Sequence, residues 1–338
     1  MRVAGLSVLE RSIKQLHGLQ HRVVLVTDGS CSVPTHLPDA VQVREVTGPE
    51  ALAALRLEFA GAIEVGADEV RPANGKFENA LRVVDEASRR LAEDAIFAEL
   101  LRGDLGLVAR HMNKPISFRI TRYLLCRLPF SPNQITVAAA LVGLLGAALV
   151  SSGGYVLMAC GFLLVHLQSV LDGCDGELAR VRFQQSALGE WLDTAVDDGL
   201  NVVLFACIGL GVSRATGHPL ALFAGLLASG LHLAYDVIAY RELWLQRAGG
   251  EIIKVRWHLV GSSDMKTRLN ASKRDFVSHL HNLGRRDFFI LAFLVYSLLG
   301  VPWLALIHAL CIAGTVGVVA GSQVVWRLRG GKQSESNS

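Results

Sequence analysis

The chain has 338 residues, 51% hydrophobic and 19% charged, with a formal net charge of +3. Its 33 glycines and 9 prolines are scattered without period among abundant apolar residues, which excludes collagen-like repeats and wholesale disorder. The stretch from Phe288 to Trp326 contains no Asp, Glu, Lys or Arg, and about 20 apolar residues suffice for one bilayer crossing, so a wholly soluble protein is also ruled out.

Residues 1 to 109 alternate helical and strand patterns. Leu9, Ile13 and Leu16 fall on one helical face, and His21 to Asp28 reads as a buried strand stopped by Gly29. Val41 to Val46 and Ala62 to Val65 are further short strands, separated by a helical Pro49 to Phe59; Glu78 to Leu101 reads as a long amphipathic helix. The expectation is a small cytoplasmic α/β domain. It has neither G-x-G-x-x-G nor G-x-x-x-x-G-K-[ST] for phosphate, and Met1 to Leu9 lacks the apolar run of a signal peptide.

Residues 110 to 130 carry Arg110, Lys114, Arg119, Arg122 and Arg127 with no acid, while Ile116, Ile120, Tyr123, Leu124 and Leu128 recur at helical spacing. That combination predicts a juxtamembrane amphipathic helix lying among lipid headgroups.

Six crossings follow over 131 to 328: Asn133 to Ser152, Tyr155 to Leu171, Gly189 to Val212, Pro219 to Ala239, Phe288 to Leu299 and Trp303 to Val325, the fifth being short. Residues 329 to 338 read as a disordered tail. Between the fourth and fifth crossings, residues 241 to 286 hold ten basic and four acidic side chains. With both termini in the cytoplasm every strongly basic segment lies on that side, so charge favours an even number of crossings. The fold class is therefore an all-α polytopic membrane domain of six helices preceded by the small α/β unit.

Charge is split along the chain. Residues 1 to 110 hold 13 Lys and Arg against 16 Asp and Glu, and the remainder hold 20 against 14. A basic membrane half suits lipid headgroups or phosphate substrates; no basic helix or zinc-finger spacing points to nucleic acid. The cysteines at 31, 126, 160, 174, 207 and 311 are far apart and read as small apolar fillers.

Four aspartates stand where a membrane helix would ordinarily avoid them: Asp172 and Asp175 at the end of the second crossing, Asp193 and Asp197 near the start of the third. Spacings of three and four place each pair on one helical face. If the helices are antiparallel neighbours, the four carboxylates converge, and their repulsion calls for cations. All-oxygen donors suit Mg2+ or Mn2+ better than zinc, and two such ions can clamp a phosphoanhydride during in-line displacement. Gly173, Gly176 and Gly189 allow close backbone approach to a ligand, and the Arg180 fork suits phosphate. His166 and Gln168, one or two turns before Asp172, are candidates to line a polar cavity or to bond a neighbouring helix.

Written out, the segment is Asp172-Gly-Cys-Asp175-Gly176-Glu-Leu-Ala179-Arg180, eight residues, Gly189, three residues, Asp193, three residues, Asp197. It resembles the signature D-x2-D-G-x2-A-R-x8-G-x3-D-x3-D of the CDP-alcohol phosphotransferase family at all eight fixed positions. The resemblance covers residues 110 to 328 and includes Ser131-Pro132-Asn133-Gln134-Ile135-Thr136, similar to the family's entry into its first crossing.

The resemblance implies transfer of a substituted phosphate from a CDP-linked donor to a small or phosphorylated alcohol, with release of CMP, at a site of two divalent ions facing the cytoplasm in a homodimer. It places Asp172, Asp175 and Asp193 on the first ion and Asp172, Asp193 and Asp197 on the second, with Asp197 also the base for the acceptor hydroxyl. It assigns Gly176, Ala179, Arg180, Ser186, Gly189, Pro132, Asn133 and Thr136 to the cytidine diphosphate. Arg241, Arg285 and Arg286, each beside a crossing at the cytoplasmic side, are the candidates for holding an anionic acceptor. Donors of the CDP-diacylglycerol and CDP-inositol kinds are both open.

Ala4 to Arg11 followed by the Val23 to Asp28 strand is similar to a sugar-nucleotide transferase fold after its nucleotide loop. The missing glycine loop and the short span imply a unit without cytidylyl transfer. Two other classes are weighed, a transporter using the acids for ions and a noncatalytic membrane scaffold. Neither accounts for the eight matched positions, and no internal repeat supports transport.

Overall fold

The computed structural model describes residues 2–3, 6–7, 24–27, 42–45, 69–70, 81–82, 86–100, 106–246, 255, 257 and 285–329. The helical face at Leu9, Ile13 and Leu16, the helix over Pro49 to Phe59, the strand over Ala62 to Val65 and the tail from 330 onward lie outside the described residues.

Near the N-terminus β1 (Arg2–Val3) and β2 (Leu6–Ser7) pair antiparallel, as do β5 (Glu69–Val70) and β6 (Leu81–Arg82). β3 (Val24–Thr27) and β4 (Gln42–Glu45) pair parallel, Val24 opposite Gln42 and Thr27 opposite Glu45. These two match the expected strands at 21 to 28 and 41 to 46. The helix expected from Glu78 starts later, as α1 (Glu86–Leu100), because Leu81–Arg82 is spent in β6. The β-branched pair Val83-Val84 beside that strand favours extended backbone, a preference the amphipathic pattern concealed.

The chain forms two compact units. One comprises Met1–Asp104, Thr121–Pro129 and Glu177–Gln184. Within it Arg89 bridges Glu86 and Glu93, one turn away on either side, and Arg122 reaches Glu93 at 3.1 Å and also pairs with Asp94. The Thr121 hydroxyl donates to Glu177 at 2.7 Å, and Arg182 donates to the carbonyls of Leu125 and Leu128 at 2.9 and 2.8 Å.

The other unit comprises Leu105–Ile120, Phe130–Gly176 and Gln185–Ser338. A π-helical turn (Ala109–Asn113) leads into α2 (Lys114–Tyr123). On this helix and the residues after it, Ser117 and Thr121 are fully buried, while Ile116, Tyr123 and Leu124 are exposed beside exposed Arg119 and Arg127. A helix that turns its apolar and basic residues outward and its small polar ones inward suits the headgroup layer.

Five long apolar helices follow this one, α3 (Pro132–Val150), α4 (Tyr155–Arg182), α5 (Ala187–Thr216), α6 (Pro219–Gln246) and, after the short α7 (Arg286–Leu298), α8 (Trp303–Leu328). Each of the five is long and apolar enough to cross a membrane. They begin where capping chemistry allows. Ser131 and Gln134 form a capping box at α3 with Pro132 at its first position, Ser186 accepts from the Gly189 N–H at 3.0 Å at α5, and Gly217 in the left-handed region (φ 73°) ends α5.

The expected fifth crossing is α7, whose 13 residues measure about 20 Å against a hydrocarbon core of about 30 Å. It is buried in the bundle all the same. Phe289, Ile290 and Phe293 join Phe162 of α4 and Phe205 of α5, with ring centroids 6.0 to 6.4 Å apart between helices. At its far end the Tyr155 hydroxyl donates to the Leu298 carbonyl at 2.9 Å, so α7 runs antiparallel to α4.

Close helix crossings are made by small residues. A Cβ added at Gly209 of α5 would sit 2.6 Å from the Gly225 Cα of α6, and one added at Gly225 would sit 2.5 Å from the Gly209 Cα. Outward positions on the spans, among them Leu141, Leu220, Phe223 and Val318, are exposed and apolar, as lipid contact requires.

Candidate metal and active centre

Asp172 comes from the C-terminal half of α4 and Asp193 and Asp197 from the first turns of α5. One carboxylate oxygen from each lies within 4.8 Å of the others. The i,i+4 spacing of Asp193 and Asp197 does this on α5, and the motif's intervening residues 183 to 186 turn the chain back; Phe183, at φ 55°, makes that reversal. Three acids in so small a space repel one another strongly.

Asp175 is placed differently. It is buried, accepts a hydrogen bond from the Thr136 hydroxyl of α3, and accepts another from the Gly176 N–H. It is not part of the three-carboxylate group, although it lies on the next turn of the same helix.

The group's charge is met by Arg286, the first residue of α7. One guanidinium nitrogen lies 2.6 Å from Asp197 Oδ2 and 3.7 Å from Asp172 Oδ2; another donates to Gln168 Oε1 at 2.9 Å, and Nε donates to Asn201 Oδ1 at 3.4 Å. Gln168 also donates weakly to Asp197 at 3.5 Å. Gln168, Asn201 and Arg286 line one small cavity with Gly143, Leu200 and Ile290.

Of the other basic candidates, Arg285 pairs with Asp287 at 3.4 Å, and exposed Arg241 lies 3.9 Å from Glu242, which is held chiefly by Arg327 at 2.6 Å. Among the described residues, only Arg286 of the three expected acceptor arginines reaches the carboxylates.

The residues expected to hold a cytidine diphosphate divide in two. Thr136 bonds Asp175, and Asn133 approaches Gly189 so closely that an added Cβ would lie 3.2 Å from its Oδ1 and 3.1 Å from Ser186 Oγ. The N-termini of α3 and α5 are thus brought together with Pro132, Asn133, Thr136, Ser186 and Gly189 around them. Such helix starts present unpaired N–H groups to an anion. Ala179 and Arg180 belong to the other compact unit; Arg180 is exposed, and the Ala179 carbonyl accepts the Gln184 N–H at 2.8 Å.

Asp172 Oδ1 is buried with no hydrogen-bond partner, and the donors around it are carboxylate oxygens. An orphaned anionic oxygen beside two further carboxylates fits a hard divalent cation. Sequence reasoning named Arg286 and Gln168 but missed Asn201, whose signal was its i,i+4 relation to Asp197. It also missed the polar pair His232 and Asp236, which share a face of the otherwise apolar α6.

Comparison with known proteins agrees with this geometry. The family model described as CDP-alcohol phosphatidyltransferase matches residues 130–267. A protein named bifunctional IPC transferase and DIPP synthase from Aquifex aeolicus is 27% identical over 248 residues, 73% of this chain and 49% of that relative. One of the same name from Rubrobacter xylanophilus is 39% identical over 144 residues, 41% of this chain and 32% of the relative. The chain spans about half the length, or less, of these two relatives. An archaetidylinositol phosphate synthase from Methanothermobacter thermautotrophicus is 31% identical over 142 residues, 40% of this chain and 67% of the relative. The stretch matched by the family model includes the three converging carboxylates, and the chain belongs to the CDP-alcohol phosphatidyltransferase family.

Proposed function

We propose that the protein transfers a substituted phosphate from a CDP-linked donor to an alcohol and releases CMP. The observation that carries this reading is the convergence of Asp172, Asp193 and Asp197 within 4.8 Å, with Arg286 on two of them. Asp172, Asp175, Asp193 and Asp197 would hold two Mg2+ or Mn2+ ions, which neutralise the diphosphate and activate it toward displacement. Thr136 keeps Asp175 oriented from α3. The helix starts at Pro132, Asn133 and Ser186, with Gly176 and Gly189, would form the cytidine diphosphate seat. Asp197 takes the proton of the acceptor hydroxyl, as a carboxylate within reach of that oxygen can. Arg286 then exchanges its carboxylate contacts for the anionic group of the acceptor, steadied by Gln168 and Asn201.

The names of the relatives direct attention to inositol chemistry, and a donor of the CDP-inositol or CDP-diacylglycerol type is proposed on that basis. Six crossings are supported by α7, pinned to α4 at both ends: near Asp172 through Arg286 and at Tyr155 through Leu298. The basic segments at 110 to 127 and 241 to 286 support a cytoplasmic position for the centre and both termini. A homodimer is part of the same proposal. Residues 1 to 109 are read as a nucleotidyltransferase-like remnant lacking cytidylyl transfer; CTP-dependent formation of a CDP-alcohol by the full chain would overturn that.

The deciding experiment incubates the purified chain with Mg2+, a panel of CDP-alcohols and a panel of alcohol acceptors, and follows CMP. Release with one donor and acceptor pair, lost in Asp193→Asn and Asp197→Asn, supports the reading. Turnover that persists in both variants overturns it.

A further inference from the structure

One residue beyond Asp197, the helix turns a second acid toward a different neighbour. Asp198 faces α6, where its Oδ2 accepts the Tyr240 hydroxyl at 2.6 Å. His232 and Asp236, one turn apart on α6, complete a group whose three ligand atoms, two carboxylate oxygens and one imidazole nitrogen, lie within 4.8 Å of one another.

This group is more deeply buried than the first. His232 is 6% exposed and Asp236 3%. Neither His232 ring nitrogen has a hydrogen-bond partner, and neither has Asp236 Oδ1. The nearest approach between the two side chains, 3.9 Å, is too long for a hydrogen bond. A neutral imidazole carries one donor and one acceptor, and leaving both unmet in an apolar surround is costly. The ring is nevertheless held, edge-on to Phe205 at 5.3 Å and 6.0 Å from Tyr235.

We propose that Asp198, His232 and Asp236 form a separate cation site for a divalent metal such as Zn2+, which Mn2+ can replace as a paramagnetic probe. An ion among them meets a ring nitrogen and the orphaned Asp236 oxygen together. The mixed nitrogen and oxygen donor set sets it apart from the all-carboxylate centre and favours a metal of borderline hardness over Mg2+. Tyr240 acts from outside the ligand set, fixing one Asp198 oxygen so that the other faces the ion, as partners behind metal ligands commonly do. The ion would cross-link α5 to α6.

Ligand nitrogen makes the site separable by spectroscopy. Tag-free full-length protein in detergent, stripped with chelator and reloaded with Mn2+, should show 14N hyperfine coupling in pulsed electron paramagnetic resonance. The pattern should change on uniform 15N-histidine labelling. The coupling should persist in the Asp193→Asn, Asp197→Asn double variant and vanish in His232→Gln and Asp236→Asn, with one fewer Zn2+ retained per chain. Absence of nitrogen coupling in the wild type, as a water-bridged network would give, overturns the proposal. Coupling and metal content unchanged in His232→Gln overturn it equally. If His232→Gln fails to fold, the labelled wild type and the double variant still decide the matter.

Discussion

Asp197 and Asp198 are chain neighbours that serve two different surroundings. Asp197 meets α4 and α7, where Asp172 and Arg286 await it; Asp198 meets α6, where a tyrosine hydroxyl and a histidine do. The first cluster carries its own guanidinium, which also lines a small cavity, and is built from a sequence signature. The second has no guanidinium in the group, only the His232 imidazole, and leaves three buried polar atoms unmet. A helix advances about 100° per residue, so consecutive acids cannot share a face, and one short segment equips two interfaces at once.

The largest effect that tests this contrast is Asp197→Asn. It should lower CMP release by about 10²- to 10⁴-fold, the usual worth of a positioned general base, while Asp198→Asn should lower it far less. Equal losses in steady-state assays would erase the distinction drawn between the two faces. Next comes Arg286→Ala, expected to cost about 10²-fold, comparable to losing one preorganised charged donor. Arg286→Lys should recover little of it, because a single ammonium cannot reach Asp197, Gln168 and Asn201 together.

Gly209→Val should destabilise the chain by about 1–3 kcal/mol through overpacking, read as earlier thermal unfolding in detergent. Because it spreads α5 from α6, it should disturb the Asp198 group more than the Asp172 group; a metal content altered only at the first centre would contradict that. Thr136→Val removes the hydroxyl that holds Asp175, an interaction worth about 1.5–3 kcal/mol for a charged acceptor, and should weaken apparent Mg2+ affinity while leaving Asp198 chemistry alone. The smallest effect belongs to Glu86, outside both clusters. Its hydrogen bond from Arg89 holds the carboxyl down, from 4.5 to about 2. A depressed folded value contributes stability above the unfolded one and loses it as pH falls through that window. Since Glu86 is exposed, Glu86→Gln should flatten only the acid limb of a stability profile below pH about 4.5, with neutral unfolding unchanged.

The first cluster was legible because its information is linear: acids three and four apart on two successive apolar segments dictate shared faces whatever the tertiary details. Arg286 was legible as a basic residue beside a crossing, but its pairing with Asn201 was not, since that depends on where α7 docks. The Asp198 group depends on the α5–α6 crossing, and that crossing is set by Gly209 and Gly225, whose complementarity appears only when the helices are placed together. Asp175 looked equivalent to its three fellows by spacing, yet a hydroxyl from α3 claims it. Among the N-terminal elements, strands of only two residues leave too little pattern to locate, so Leu81–Arg82 carries no strand signal of its own.

The adjacency of Asp197 and Asp198 sets what kinds of genetic change the protein can tolerate. Many side chains between 189 and 196 could be exchanged without rotating either acid. Deleting or inserting a single residue there would swing both carboxylates by about a quarter turn, giving each the other's neighbour or none. Length in this stretch should therefore be far less forgiving than composition.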